Sequence, residues 1–420
     1  MKKLLAIIVL GLLLNTNAQA KHRTFDDPLY HYGRWEVKGS ENHYKFQSNL
    51  REDKDVLKEI KNTKKTGLIS YLLFEDDKIV IDESDIPDKT RKGKDNEAEK
   101  IWMANENYLD ANSSELKKDD PYYQRRLNAL LQAHSMGKSL VSYVTGHAIC
   151  EGYISSVDEK LTGWDIIENT LFDNQVLIDL LNMQAGDQKY IGERNYRTDN
   201  ILHKVKIKVD EFGIENKNGK PINVNTIPLK KVMGLNFFQN SKKSSSTYNY
   251  NALVTNIIMN YVIFKTGDDW EKLLHKVFNE HVKVKDNVYF HQTEQYPLKG
   301  SGRYSFYATR YDYLRIAKTI MDDWNNNTCA GKYLKTIYER RISKNITGYK
   351  QAASVAGRTK KYGGQFHFDL DGLKKRKILG MDGMGGQQII IDFEKKRIIV
   401  VNTLDQHYNW KKIVYKKIKQ

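Results

Sequence analysis

An α+β fold is predicted, on three observations. Residues 67–82 read GLISYLLFEDDKIVID: a β-rich run, an Asp76-Asp77 turn and a second β-rich run. The middle of the chain spaces its apolar residues by three and four, the pattern of helices that bury one face. The C-terminal part returns to strand-like runs at 364–368, 387–393 and 397–402. Early and late strands separated by helices imply one antiparallel sheet, flanked by helices and closed around an inserted helical subdomain. The sheet is expected from about residues 65–82 and 362–405, and the helical, pocket-forming region from about 124–345.

Taken in order, residues 1–20 (MKKLLAIIVLGLLLNTNAQA) have two lysines, an apolar core and an Ala18-Gln19-Ala20 end, which is the pattern of a secretory signal peptide. The apolar core is shorter than the roughly 20 residues that span a bilayer, so no stable membrane anchor is expected. A periplasmic or secreted bacterial product is expected after removal of 1–20. Residues 21–64 read as an irregular lead segment with one short helix, ahead of a domain over 65–420. Residues 83–122 are charged and read as a surface excursion with a helix near 101–108. The helix that follows carries Ser135 and stops at Gly152. Residues 165–183 read as further helix. Residues 186–247 are polar and mixed, and the alternation at 202–214 suggests a small hairpin. Helices are expected over 251–265, ended by Gly267, and over 270–282, 311–324 and 332–342. A hairpin turn joins the last two strands, and the basic segment 410–419 reads as a terminal helix. No internal repeat is visible.

The chain is 40% hydrophobic, enough for a large core, and carries a formal net charge of +16, or +14 once Lys2 and Lys3 are removed. The lysines read as a solvated surface, with anionic envelope polymers as the alternative contact. No zinc-finger or RNA-binding signature accompanies them, so nucleic acid is not expected as a partner. Two cysteines, Cys150 and Cys329, stand in a chain expected in an oxidising compartment, and their pairing is left open. The 11 histidines are scattered, with no spacing that suggests a metal site, and His367 reads as a core or surface residue. No cofactor is expected, and oligomeric state is not legible.

The chemistry centres on Ser135-Met-Gly-Lys138. At i and i+3 on a helix the two side chains share a face. A serine in the first turn meets free N–H groups and the positive end of the helix dipole, which favour a developing oxyanion. A serine hydroxyl needs a neighbouring base, and a partly desolvated lysine that loses its proton near neutral pH can serve. The spacing alone is weak, because Ser114-Glu-Leu-Lys117 matches it too. Only Ser135 is followed by a stripe that would bury the helix: Leu140, Val141, Val144, Ala148 and Ile149. A tyrosine just before the 251–265 helix, Tyr248 or Tyr250, can act as acid or base on such a pair. The glycine-rich turn around Gly383, Met384 and Gly385 lets backbone approach a ligand, and an N–H there would complete an oxyanion hole with that of Ser135.

The order of these parts resembles the penicillin-recognising serine hydrolases, and within them the broad beta-lactamase-related family. The resemblance rests on SMGKSLVS (135–142), EGYISSVDEKL (151–161), LLNMQAG (180–186), GSGRYSFYATRYD (300–312) and GMGGQ (383–387), and it spans roughly residues 65–405. It implies a beta-lactamase/transpeptidase-like fold. It implies Ser135 as the acylated nucleophile, Lys138 as its activating partner, and Tyr250, rather than Tyr248, as the tyrosine. The oxyanion hole would be the N–H groups of Ser135 and Met384, with Gly383 and Gly385 beside the substrate. Two positions depart from the family's pattern. The amide of Asn251 stands one position early in the Tyr-x-Asn motif. Met381-Asp382-Gly383 stands where lactamases carry Lys-Thr-Gly. The lost cation disfavours penicillins and D-Ala-D-Ala peptides, and Asp382 would favour a substrate amine. The resemblance is nearest the esterases and 6-aminohexanoate-dimer hydrolases, which implies a small-molecule amide or ester substrate. A beta-lactamase, a cell-wall carboxypeptidase and a non-catalytic binding homologue are the alternatives.

Overall fold

Among the described residues, the apolar runs Ile389–Ile391 and Ile398–Val401 lie at the centre of a nine-stranded sheet. The structure is a computed structural model, and it describes residues 34–62, 66–84, 130–185, 229–234, 248–292, 302–344, 354–403 and 411–420. Its strands are β1 Arg34–Val37, β2 Gln47–Ser48, β3 Leu68–Glu75, β4 Lys78–Ser84, β5 Leu131–Gln132, β6 Val288–Gln292, β7 Gly302–Ala308, β8 Ile342–Ser343, β9 Thr359–Gly363, β10 Phe366–Leu370, β11 Ile378–Gly383, β12 Gln387–Asp392 and β13 Arg397–Thr403. The large sheet has the order β2-β4-β3-β13-β12-β11-β10-β9-β8. It is antiparallel except at its edge, where β2 runs parallel to β4. The fold class is therefore α+β, as the order of apolar patterns predicts.

The central strands are apolar on both faces because both faces are covered. In β13, Ile398 and Val400 join the main core while Ile399 and Val401 point into a second one. In β12, Ile389 and Ile391 face the main core and Ile390 the second. The second core is closed by helix α1, Lys54–Ile60, through Val56 and Ile60, and by the C-terminal segment through Ile413, Val414 and Ile418. The main core holds the helices that carry the site: α2 Met136–Cys150, α3 Leu177–Leu181, α4 Leu229–Met233, α5 Ala252–Thr266, α6 Trp270–His275, α7 Arg310–Asn326 and α8 Cys329–Glu339. Short helices α9 Val355–Arg358 and α10 Lys416–Lys419 complete the set.

Four features differ from the sequence expectation. Residues 165–183 are turns followed only by α3. Asn169 and Asn174 sit at φ 60°, which breaks a helix, and Lys160 forms a β-bridge with Val176. Their apolar periodicity is nonetheless real, because Ile167, Leu171, Phe172, Leu177 and Leu180 are all buried. The expected helix over 270–282 changes pitch after α6 into a π-turn, Lys276–His281. Residues 34–62 are more ordered than a lead segment, since β1 pairs with β6 and β2 with β4. A second sheet, β1-β6-β7-β5, was not expected at all. The expected helix at 101–108 and hairpin at 202–214 lie outside the described residues. Cys150 and Cys329 form a disulfide with Cα atoms 5.8 Å apart, tying the end of α2 to the start of α8.

Candidate active site

A helix that is apolar on all sides must be buried on all sides, and α2 is: every residue from Met136 to Ala148 is buried. Ser135 immediately precedes it, and its side chain makes no capping bond to the helix, which leaves the hydroxyl for other partners. His134 before it takes φ 48°, a left-handed conformation that non-glycine residues seldom adopt and that concentrates at functional turns. Burial and the Lys138 charge push His134 down to about 3, so its imidazole is neutral.

Lys138 lies one turn below, and its Nζ donates to Ser135 Oγ at 2.9 Å. It is buried, with its Nζ 4.8 Å from the centre of the Tyr250 ring and 3.9 Å from that of Tyr304. Both tyrosine hydroxyls hydrogen-bond the ammonium, and that of Tyr250 also bonds Ser135. Three ammonium protons thus meet three oxygens. Burial acts to lower the Lys138 pKa, but the two tyrosine oxygens outweigh it and hold it above the ordinary value. The expectation of a lysine that sheds its proton near neutral pH is therefore corrected: the cage keeps Lys138 an ammonium. Burial pushes Tyr250 up, against the pull of Lys138. Burial acts upward on Tyr304 too, but Lys138 and the Arg303 guanidinium bring it below the ordinary tyrosine value.

Each tyrosine is held by a specific element. Asn251 is the N-cap of α5: its Oδ1 accepts from the Val254 N–H at 2.8 Å and its Nδ2 donates to the Asn249 carbonyl at 3.1 Å. That commits the Asn251 side chain to the helix start and sets where Tyr250 leaves it. Tyr248 packs against Tyr362 instead, with ring centroids 5.2 Å apart. Tyr304 is in β7, which crosses α2 so closely that a Cβ on Gly137 would lie 1.9 Å from the Tyr304 carbonyl oxygen. The glycine between Ser135 and Lys138 is thus what admits Tyr304. Beneath the site, buried Gln365 accepts from Thr255 on α5 and donates to the Leu180 and Leu181 carbonyls of α3, while Ser139 on α2 donates to its carbonyl.

On the other side, the end of β11 abuts the approach to Ser135. A Cβ on Gly383 would stand 2.4 Å from the Ala133 carbonyl oxygen. Met384 begins a tight turn and is half exposed, and Gly385 follows at φ 80°, a conformation that requires glycine. The Asp382 carboxylate is turned away from Ser135: its Oδ2 accepts from the Ala356 N–H at 2.8 Å, and it bonds Ser354 at the start of α9. Burial pushes it up to about 6. Lys344, whose charge acts on Asp382, is itself buried, donating to the Ala356 carbonyl and to Thr359 Oγ1. Of the residues singled out in the sequence, Ser135, Lys138 and Tyr250 come together and Gly383 stands beside them. Asn251 and Asp382 have their side chains engaged in helix starts. Tyr304, Gly137 and His134 were not singled out as site residues.

The backbone is similar to three solved structures over most of its length. A candidate 6-aminohexanoate-dimer hydrolase from Bacillus anthracis matches with a TM-score of 0.58 at 14% identity, over 92% of this chain and 89% of that one. A simvastatin synthase from Aspergillus terreus matches with 0.54 at 12% identity, over 86% and 94%. A candidate beta-lactamase from Bacteroides dorei matches with 0.53 at 13% identity, over 88% and 99%. The chain has the beta-lactamase/transpeptidase fold. No protein-family model and no curated protein matches it. In this fold the Ser135 cage sits at the head of the buried helix α2, between β7 and the end of β11.

Proposed function

We propose that this chain is a serine hydrolase that cleaves an amide or ester bond of a small molecule through an acyl-enzyme on Ser135. The observation that carries this reading is the cage itself: a serine hydroxyl with no capping duty, 2.9 Å from a buried ammonium that two tyrosine hydroxyls also bond. Because Lys138 stays charged, it serves as the counter-ion that makes a Tyr250 phenolate affordable, and Tyr250 is the base. Ser135 Oγ attacks the carbonyl carbon as its proton passes to the Tyr250 oxygen. The carbonyl oxygen becomes an oxyanion facing the Ser135 and Met384 N–H groups. Tyr250 returns the proton to the leaving nitrogen or oxygen as that bond breaks, leaving a Ser135 ester. Water then attacks the ester, giving its proton to Tyr250, and Ser135 leaves with a proton taken back from Tyr250. General acid–base help of this kind is worth about 10²–10⁴-fold in rate.

Met381 stands where lactamases carry a cation, which favours substrates without a carboxylate at that end. A leader-like segment at 1–20 and the Cys150–Cys329 disulfide support export to an oxidising compartment. A fluorophosphonate probe followed by intact-mass measurement tests the nucleophile. One adduct is expected on the wild-type chain and none on Ser135→Ala. An adduct that survives Ser135→Ala, or none on the wild type, would overturn the reading.

A further inference from the structure

Far from Ser135, three helices bring their ends together around a cluster that the reaction does not use. His147 lies 12 residues along from Ser135, roughly 18 Å down α2 at 1.5 Å per residue. His281 closes the π-turn after α6, and Asp323 stands in the last turns of α7. One ligand atom from each lies within 4.8 Å of the others. His281 Nε2 is 3.1 Å from both Asp323 oxygens. The His147 and His281 rings are 4.9 Å apart, inclined at 66°.

His147 is only 8% exposed, and among the described residues its Nε2 is buried with no hydrogen-bond partner. A buried polar atom left unpaired costs about 1–3 kcal/mol and needs a reason. Asp323 is almost wholly buried, and a second layer of donors holds it. The Tyr143 hydroxyl donates to Oδ2 at 2.5 Å and the Thr328 hydroxyl to Oδ1 at 2.7 Å. A carboxylate offers about four lone-pair sites, so each oxygen keeps one for another partner. Outer hydrogen bonds of this kind orient ligating carboxylates in metal sites. A cleft of about 230 Å³, lined by Tyr44, Lys318, Asp322 and Thr328 among others, reaches His281 and Asp323 and gives an ion a path. Of the lysines near it, Lys318 pairs with Asp322 and Lys276 with Glu151, while Lys283 also lines the cleft.

We propose that His147, His281 and Asp323 bind one divalent cation of the zinc class, with water in the fourth position. Two imidazoles and one carboxylate form a borderline donor set suited to zinc, whereas calcium and magnesium take oxygen ligands. Tetrahedral zinc places its ligand atoms about 3.3 Å apart. The cluster therefore has to tighten by at most about 1.5 Å, which the partly exposed His281 can accommodate. The ion would pin α2, the π-turn and α7 together, three residues from Cys150 and six from Cys329, and so would be structural.

The test uses the full mature chain with its disulfide intact, stripped with EDTA and titrated with ZnCl2 by calorimetry. One saturable site per chain is expected, with a raised melting temperature and, on Co2+ substitution, the visible bands of tetrahedral cobalt. His281→Gln and His147→Ala should each weaken binding at least about 100-fold, beyond the 10–100-fold typical of losing only an outer partner. His275→Ala, at an exposed histidine outside the cluster, should leave binding unchanged. Should His147→Ala fail to fold, His281→Gln carries the test alone, since His281 is partly exposed. Absence of saturable binding up to roughly 100 μM zinc, or binding untouched by His281→Gln, would overturn the proposal. Probe labelling of Ser135 should be the same with and without zinc, which separates this site from the proposed reaction.

Discussion

At the scale of single residues, the cage around Lys138 sets the pH dependence of the proposed chemistry. Tyr250 is the base and its pKa is raised, so the competent phenolate is scarce at neutral pH and grows about tenfold per unit of pH below that pKa. The rate should climb on the alkaline side. Tyr304 is held below the ordinary value and ionises first, and its negative charge then opposes ionisation of Tyr250. Tyr304→Phe should therefore move the ascending limb of kcat/KM to lower pH, while Tyr250→Phe should remove about 10²–10⁴-fold of activity at every pH. A pH–rate profile of both variants on an activated ester would check this, and an unchanged limb in Tyr304→Phe would contradict the assigned order. Ser135, Lys138 and Tyr250 are legible in the sequence because helical spacing and chain order encode them. Tyr304 is not, because it reaches Lys138, 166 residues away in sequence, only through the packing of β7 on α2. The same holds for His147, His281 and Asp323, which no spacing connects.

At the scale of elements, the closest approach in the site is that of α2 to β7. A methyl on Gly137 would collide with the Tyr304 carbonyl, a backbone atom that cannot turn aside. Gly137→Ala should separate the two elements, costing more than about 3 kcal/mol as overpacking against backbone. Urea unfolding should register the loss, and Ser135 labelling should fall with it. A second element-scale device is the start of α9, where Asp382 holds the Ala356 N–H. Its folded pKa, about 6, lies above the ordinary 3.8, chiefly through burial. The folded state therefore holds this proton more tightly than the unfolded one. The resulting stabilisation is full below pH 3.8 and is lost as pH rises through about 6, a change of roughly 2–3 kcal/mol. Asp382→Asn keeps the acceptor and removes the titration. Its stability relative to wild type should rise by that amount between pH 4 and pH 7, measured by chemical denaturation. Strands with apolar residues on both faces, such as β12 and β13, are legible as plain apolar runs. The turns at 165–176 are misread because apolar periodicity reports burial, and only the left-handed Asn169 and Asn174 reveal that the path is not helical.

At the scale of the whole molecule, the sheet is assembled from both ends of the chain. β3 from the first hundred residues pairs with β13 from the last thirty and with β4 on its other side, and the segment between β4 and β8 is one long excursion from this sheet. The general layout is legible because the strand and helix patterns segregate in sequence. The small sheet is not, because β1 and β5 are short and pair with β6 and β7 from distant segments. In such a topology, closing the excursion costs chain entropy that local contacts do not offset. The Cys150–Cys329 disulfide spans 179 residues of that excursion and joins α2, which carries the cage, to α8. A cross-link over so long a loop restricts the unfolded chain, and removing a native disulfide of this kind typically costs about 2–4 kcal/mol. The paired replacement Cys150→Ser with Cys329→Ser should lower the urea midpoint accordingly. It should leave the Ser135 cage intact below the transition, since the bridge lies at the far end of α2. The measurement is urea unfolding followed in parallel with probe labelling of Ser135. Loss of labelling well before the unfolding transition would mean that the bridge positions the cage rather than only stabilising the fold.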